Sequence, residues 1–314
     1  MPRPVILGVV GDSATGKTTI TDGLVRVLGE DNVAHIGTDD YHKYDREQRK
    51  ELGITPLNPE CNHMDIMAQD LELLRNGKPI LKPIYVHSDG TFTAPEYVEP
   101  KPFAIVEGLL GYYTEELRET HDVRVFLSPP EELRRKWKID RDSSKRGYTE
   151  EEVLADLDKR EPDSEQFIRP QRRYADLIVT FRPTDDDSDV VDAELTLMEG
   201  LPHPDLSPLV ESAKDDIRVE QRDGESTLWI SGGIDVERAR EIEEAVWDRM
   251  RFAKHLRTED LGVIETGGGE QHSQSLAILQ VLLLYQLVTA RATVALGGDD
   301  ARHEDDEVAT SSSS

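Results

Sequence analysis

Gly11-Asp12-Ser13-Ala14-Thr15-Gly16-Lys17-Thr18 follows the apolar run Val5-Ile6-Leu7-Gly8-Val9-Val10 and precedes a helix-compatible stretch, Thr19 to Leu28. The octet fits the phosphate-loop pattern G-x-x-x-x-G-K-[ST], and a buried strand before it with a helix after it is the context that pattern needs. The glycines let the chain wrap tightly, so that successive backbone N–H groups and the helix N-terminus face phosphate oxygens. Lys17 is then expected to reach the β- and γ-phosphates and the Thr18 hydroxyl to ligate Mg²⁺, with Thr19 completing the nucleotide-binding set. Such a loop identifies the phosphate donor. The acceptor has to be read from the rest of the chain.

At 314 residues the chain suffices for one large α/β domain with additions, or for two domains. It carries 64 acidic and 37 basic residues, a formal charge of −27. That field repels nucleic acid and anionic membranes, so neither is expected as a partner. Local Lys and Arg must overcome it wherever phosphates bind. The acid excess, the scarcity of Lys relative to Arg and the 6% aromatic content read as a halophilic, high-salt protein. At molar salt the Debye length shrinks to about 3 Å and screens the self-repulsion.

Cys61 is the sole cysteine, which leaves no intrachain disulfide to form. Met1-Pro2-Arg3-Pro4 runs directly into a strand, so no leader is expected. Leu276 to Ala295 is apolar but interrupted by Gln280, Tyr285, Gln286 and Arg291, and reads as a buried helix. These features together point to the reducing cytoplasm.

Strand-like runs at Val5–Val10, Val33–Gly37, Ile80–Tyr85, Phe103–Glu107, Val123–Leu127 and Leu177–Phe181 alternate with helical patterns at Thr18–Leu28, Asp65–Asn76, Tyr113–Glu119, Pro130–Lys145 and Thr149–Lys159. The alternation predicts an α/β fold of P-loop NTPase type, a mostly parallel sheet with helices on both faces. Asp89-Gly90 between β-compatible flanks predicts a hairpin. A second one, Ile217–Arg222 with Ser226–Ser231 around Asp223-Gly224-Glu225, and two long helices, Val236–Leu256 and Ser273–Ala295, form a C-terminal part. Thr184 to Asp192 reads as an acidic solvated connection. The expected division is a phosphate-loop core over 1–183 with a lid at about 130–146, an extension over 184–296 packed on it, and a disordered acidic and serine tail over 297–314.

Phe103 to Gly108 is a buried strand ending in Glu107, which in a phosphate-loop fold lies beside the loop and holds Mg²⁺ directly or through water. Gly37-Thr38-Asp39-Asp40-Tyr41-His42 follows the second strand, where open α/β sheets collect their ligands. One of the two aspartates is placed to accept a proton from an attacking hydroxyl, and spacing alone does not choose between them. Arg134, Arg135, Lys136, Lys138, Arg141, Lys145 and Arg146 form a basic run inside an acidic protein. With Trp137 and Ile139 as anchors, that helix is expected to swing cations over the nucleotide as a lid.

The phosphate loop, Asp39-Asp40-Tyr41-His42, Lys82-Pro83-Ile84-Tyr85-Val86-His87, Val106-Glu107-Gly108-Leu109, Lys138-Ile139-Asp140-Arg141-Asp142 and Arg169-Pro170-Gln171 occur in one order. In that ordered set the sequence resembles the phosphoribulokinase/uridine kinase family, its phosphoribulokinases above all. Gln271-His272-Ser273-Gln274-Ser275-Leu276-Ala277 and the helix after it extend the resemblance over nearly the whole chain. The resemblance implies ATP- and Mg²⁺-dependent phosphorylation of the C1 hydroxyl of ribulose 5-phosphate. It favours Asp39 as general base, three residues before His42. His42, Arg46, Tyr85 and His87 match positions that hold the sugar phosphate, Lys138, Arg141 and Arg146 match lid cations, and Asp142 a lid acid next to the reaction centre. Arg169 and Arg173 are further anion contacts. Redox-controlled members carry a cysteine inside the loop where Thr15 stands here, and Cys61 has no mate, so thiol–disulfide control is not expected.

Competing readings are a nucleoside kinase such as uridine kinase, a kinase of another pentose monophosphate such as ribose 1-phosphate, and a nucleotide-binding regulator without turnover. His42, Arg46 and His87 favour a phosphorylated acceptor over a neutral nucleoside, which would want aromatic stacking. A regulator has no use for the Asp39 base, and no Asn-Lys-x-Asp motif of a signalling GTPase occurs. The C-terminal hairpin and helix would suit a homodimer that extends the sheet.

Overall fold

A computed structural model describes residues 2–184, 190–198, 201, 204, 215–222, 225–256, 260–266 and 269–298. In chain order the first half contains β1 (Val5–Gly11), α1 (Lys17–Leu28), β2 (Val33–Gly37), α2 (Arg46–Leu52), α3 (Met64–Arg75), β3 (Ile80–Val86), β4 (Thr91–Val98), β5 (Phe103–Gly108), α4 (Glu115–Thr120) and β6 (Val123–Leu127). The second half contains α5 (Glu131–Arg146), α6 (Glu150–Asp163), β7 (Leu177–Pro183), β8 (Val191–Met198), β9 (Ile217–Arg222), β10 (Glu225–Ile230), α7 (Val236–Arg249), β11 (Val263–Thr266), β12 (Gly269–His272) and α8 (Gln274–Ala295).

One eight-stranded sheet runs in the order β2-β5-β1-β6-β7-β8-β10-β9. The strands from β2 to β7 are parallel, and β8, β10 and β9 continue it antiparallel. All seven residues of β1 are buried, as expected for a central parallel strand covered on both faces. Alternate side chains serve different cores: Val5, Leu7 and Val9 pack with α1 and α8, whereas Ile6 joins Met67, Leu71, Leu74 and Leu117 of α3 and α4. The phosphate-loop NTPase architecture read from the alternation is therefore the fold.

Several elements differ from expectation. Ile80–Val86 does not join the parallel sheet; it pairs antiparallel with β4 through the Asp89-Gly90 turn, as a separate two-stranded ribbon. Val191 already belongs to β8, where an acidic loop was expected to run to Asp192. Its signal was readable, since Ala193, Leu195 and Leu197 are buried at a period of two. Because β8 pairs with β7, the sheet crosses the expected boundary at 183/184 without a break. The predicted helix from Val236 ends at Arg249, and a 3-10 turn covers Arg251–Leu256. The expected β9–β10 hairpin forms, with Glu225 already in β10 opposite Arg222 where it was expected in the turn; Asp223 and Gly224 lie outside the described residues, as do residues 299–314 of the expected tail. A further ribbon, β11–β12, was not anticipated.

The α8 helix is long and apolar enough to cross a membrane, and it lies inside the protein, packed on α7, α1 and the sheet. Fifteen of its side chains are buried, including Gln280 and Gln286.

Candidate active site

The loop between β1 and α1 wraps with Ala14 and Gly16 in the left-handed region, at φ 63° and 91°. Lys17 folds over it and its Nζ donates to the carbonyls of Gly11 (2.9 Å) and Asp12 (2.6 Å). Burial pushes the Lys17 ammonium below its ordinary value, against the opposing pull of Glu107, Asp12 and Asp39. Asp12 itself turns away from the cleft. Its carboxylate accepts from Ser13 N at 2.8 Å and from the Ser164 hydroxyl, and Arg134 stands 3.7 Å off.

Glu107 ends β5 beside the loop. Thr21 Oγ1 donates to it at 2.8 Å, Thr18 Oγ1 lies 3.4 Å from its other oxygen, and His35 Nε2 is also 3.4 Å away. Burial acts to raise the Glu107 carboxyl, but the His35 contact, Thr21 and Lys17 outweigh it and hold the group below its ordinary value. Thr18 and Glu107 thus offer two hard oxygen donors side by side. Among the described residues no group of three or more His, Cys, Asp or Glu gathers to hold a metal. A sparse oxygen set suits Mg²⁺, which keeps waters and takes further ligands from substrate phosphates.

The turn that carries Asp39 is tied to the same strand. Thr38 Oγ1 accepts from Leu109 N at 3.1 Å, and a Cβ on Gly108 would stand 1.7 Å from that oxygen, so only glycine permits the approach. Asp39 faces His42 Nε2 at 4.0 Å and His87 Nε2 at 3.7 Å. Burial raises its carboxyl, and His42, His87 and Lys17 together bring it below the ordinary value. Asp40 points elsewhere: Lys82 Nζ takes one oxygen at 2.5 Å and Tyr85 N the other at 2.9 Å, which pins the β3–β4 ribbon to the turn. His42 is buried with Nδ1 2.6 Å from Asn62 Oδ1, and burial lowers its pKa. Tyr85 packs edge-on between His42 and His87.

A cleft of about 1410 Å³ holds the phosphate loop, Asp39, His42, Arg46, Tyr85, His87, Glu107, Lys138, Arg141 and Asp142 together. Arg49, which was not anticipated, also lines it; its NH2 donates to Tyr85 OH at 2.5 Å and its guanidinium lies over the Tyr85 ring. The signal was present, because Arg46 and Arg49 stand three apart on α2 and share a face. The cations of the expected lid are less free than their sequence run implied. Lys138 is buried against Asp142 (2.9 Å) and Asp156 (3.5 Å), Arg135 meets Glu131 and Asp158, and Arg134 meets Glu131 and Glu161. Arg141 pairs with Asp142 at 2.9 Å and reaches Ser13 Oγ at 3.5 Å. Leu133 and Trp137 anchor the helix, Trp137 edge-on against Phe181, whereas Ile139 takes no part in that aromatic contact. The Arg146 side chain lies outside the described residues. Arg169 and Arg173 do not line the cleft: Arg169 is held by Glu161 at 2.5 Å and Arg173 lies on Tyr174.

A model of the Phosphoribulokinase / Uridine kinase family matches residues 6–188, more than half of the chain. The chain belongs to that family. Similar relatives include the phosphoribulokinase of Synechocystis sp., 40% identical over 205 residues, which are 64% of this chain and 62% of that protein. The chloroplastic phosphoribulokinase of Arabidopsis thaliana is 33% identical over 219 residues, covering 63% of this chain and 55% of that one. A uridine kinase of Staphylococcus epidermidis is 33% identical over 185 residues, 57% of this chain and 88% of that protein. The match thus spans only about three fifths of the length of these phosphoribulokinases. Among solved structures, a phosphoribulokinase from Rhodobacter spheroides has the same fold, with TM-score 0.60 over 81% of this chain and 99% of that one at 19% identity. Within the family's core, the described cleft lies where the carboxyl ends of the parallel strands meet the phosphate loop.

Proposed function

We propose that this family member transfers the γ-phosphate of ATP to a pentose monophosphate, ribulose 5-phosphate first. One observation carries the reading: Asp39 sits between two imidazoles in the same cleft as Lys17, while Asp40 is occupied by Lys82 and the Tyr85 amide. Asp39 takes the proton of the acceptor hydroxyl as it attacks. Its depressed pKa keeps it ionised and ready. His42, His87, Arg46 and Arg49 surround the acceptor end and hold its phosphate, with Tyr85 fixing Arg49 and both imidazoles.

Lys17 and Arg141 face the transferring group from the loop and lid sides, and Asp142 fixes the Arg141 guanidinium. Arg146 is a further lid cation in this reading. Thr18 and Glu107 hold Mg²⁺, which when bound neutralises charge on the phosphates. Arg169, tied into the Glu161 pair behind the lid, and Arg173 support the site from outside at most.

Uridine phosphorylation is the second reading, favoured by the Staphylococcus epidermidis relative, most of whose length the chain covers. The cationic acceptor end opposes it. A coupled ADP-release assay in molar KCl, with ribulose 5-phosphate, ribose 1-phosphate, ribose 5-phosphate and uridine side by side, tests the choice. Turnover with uridine alone would overturn the first reading. The −27 charge supports a high-salt cytoplasmic setting. The outer edge of β9, without a partner strand among the described residues, suits a sheet-extending homodimer.

A further inference from the structure

The cleft extends past the phosphate loop on the side away from Asp39. There apolar side chains gather among polar ones: Trp137 and Phe181 stand edge-to-face beside Gly16, and Pro183, Val191 and Ile264 line the space along with Asp22, Arg26 and Gln271. Ile264 and Gln271 are cross-strand partners in the β11–β12 ribbon, far along the chain from the loop they face. The ribbon is bolted to the loop's own helix. Gln280, fully buried on α8, accepts from Gly262 N at 2.7 Å and donates to the carbonyl of Thr19 at 3.0 Å. A Cβ at Gly23 would fall 2.0 Å from Gln280 Nε2, so glycine at that turn of α1 admits the amide. On the same side Ser275 Oγ donates to the carbonyl of Val191 at 3.0 Å and fixes the start of β8.

A phosphate chain seated on the loop leaves its nucleoside on one side and the acceptor on the other. The acceptor side is polar and cationic, and the ribbon side offers apolar side chains, Trp137, Phe181 and Ile264, with the Gln271 amide among its polar groups. We propose that the β11–β12 ribbon is the outer wall of a base-binding slot for the donor nucleotide, with Ile264 against the base face, Gln271 at its edge and Gln280 as the residue that positions the ribbon. The inference rests on the donor-nucleotide reading above, and it makes the C-terminal region part of the donor site.

Calorimetric titration of the full chain with MgADP and with magnesium pyrophosphate, in molar KCl, separates the two. Ile264→Ala and Gln271→Ala are each expected to weaken MgADP roughly tenfold, the usual size for losing one apolar or polar contact to a ligand. Pyrophosphate, which has no base, is expected to bind all three proteins equally. Gln271 is exposed, so its variant leaves the fold intact. Unchanged MgADP affinity in both variants overturns the slot, as does an equal loss for MgADP and pyrophosphate, which would mean a distorted loop. A parent protein that binds neither ligand overturns the donor reading itself, and the slot with it.

Discussion

At position 39 the carboxylate has imidazoles on two sides, at 4.0 and 3.7 Å, and among the described residues no main-chain or lysine hydrogen bond holds it. Asp39→Asn keeps the shape and removes the proposed base, so turnover is expected to fall by roughly 10²–10⁴ with nucleotide affinity retained. Asp40→Asn breaks the Lys82 pair instead and is expected to lower thermal stability and acceptor affinity more than kcat. Steady-state kinetics on both variants check the assignment, and near-normal turnover in the first would move the base to Asp40. Arg49→Ala removes a cation braced by Tyr85. Loss of a hydrogen bond to a charged group, about 1.5–3 kcal/mol, corresponds to a rise in acceptor KM of roughly 10–150-fold. Cys61 is buried and alone, and burial raises its thiol pKa. Activity is therefore expected to be the same after treatment with dithiothreitol or with an oxidant; a reversible loss on oxidation would contradict that.

The α5–α6 pair holds together as an element because its charges are paired among themselves. α5 carries Lys138, Arg141 and Asp142, and α6 returns Asp156 and Asp158 to the same face. For Asp142, burial raises the carboxyl while Arg141 and Lys138 more than compensate, so its folded pKa lies below the ordinary 3.8. A depressed carboxylate contributes stability that is fully present above 3.8 and lost as pH falls through the folded value. Asp142→Asn is expected to cost roughly 2–4 kcal/mol near neutrality, since it leaves the buried Lys138 with only the longer Asp156 contact at 3.5 Å. Urea unfolding at a series of pH values should show the gap between parent and variant narrowing below 3.8, and a gap independent of pH would reject the pairing as its source. The ribbon β3–β4 is the other element on which the cleft depends, because Asp40 pins it and it delivers Tyr85 and His87.

Across the whole molecule the −27 charge sets the conditions under which these local contacts operate. The Debye length grows from about 3 Å at 1 M salt to about 10 Å at 0.1 M, so self-repulsion returns as salt is withdrawn. Thermal melts followed by circular dichroism are expected to move to higher temperature with increasing KCl. A midpoint indifferent to salt would remove the halophilic reading.

Much of this protein was legible in one dimension. The phosphate loop, the central strands Val5–Gly11 and Phe103–Gly108 and the turn bearing Asp39 are local patterns, written in glycine placement and continuous apolar runs. Local periodicity also fixed that α8 is a buried helix with polar interruptions. What it does not encode is which partner a side chain meets across the sheet. Asp39 and Asp40 are chemically alike and adjacent, and only the approach of Lys82 and the Tyr85 amide to Asp40 separates their surroundings. In the basic run on α5, Glu131 and Asp142 are neighbours within four positions and were legible as partners, whereas the α6 acids that complete the neutralisation are not, as Glu161 stands 27 positions from Arg134. Gln280 meets Thr19 across 261 positions, so no local pattern could announce that contact. Sequence determined the elements, whose hydrogen bonds and periodicity are short-range; tertiary packing decided the charge pairing and the site, because electrostatic and steric contacts depend on distance in space and not along the chain.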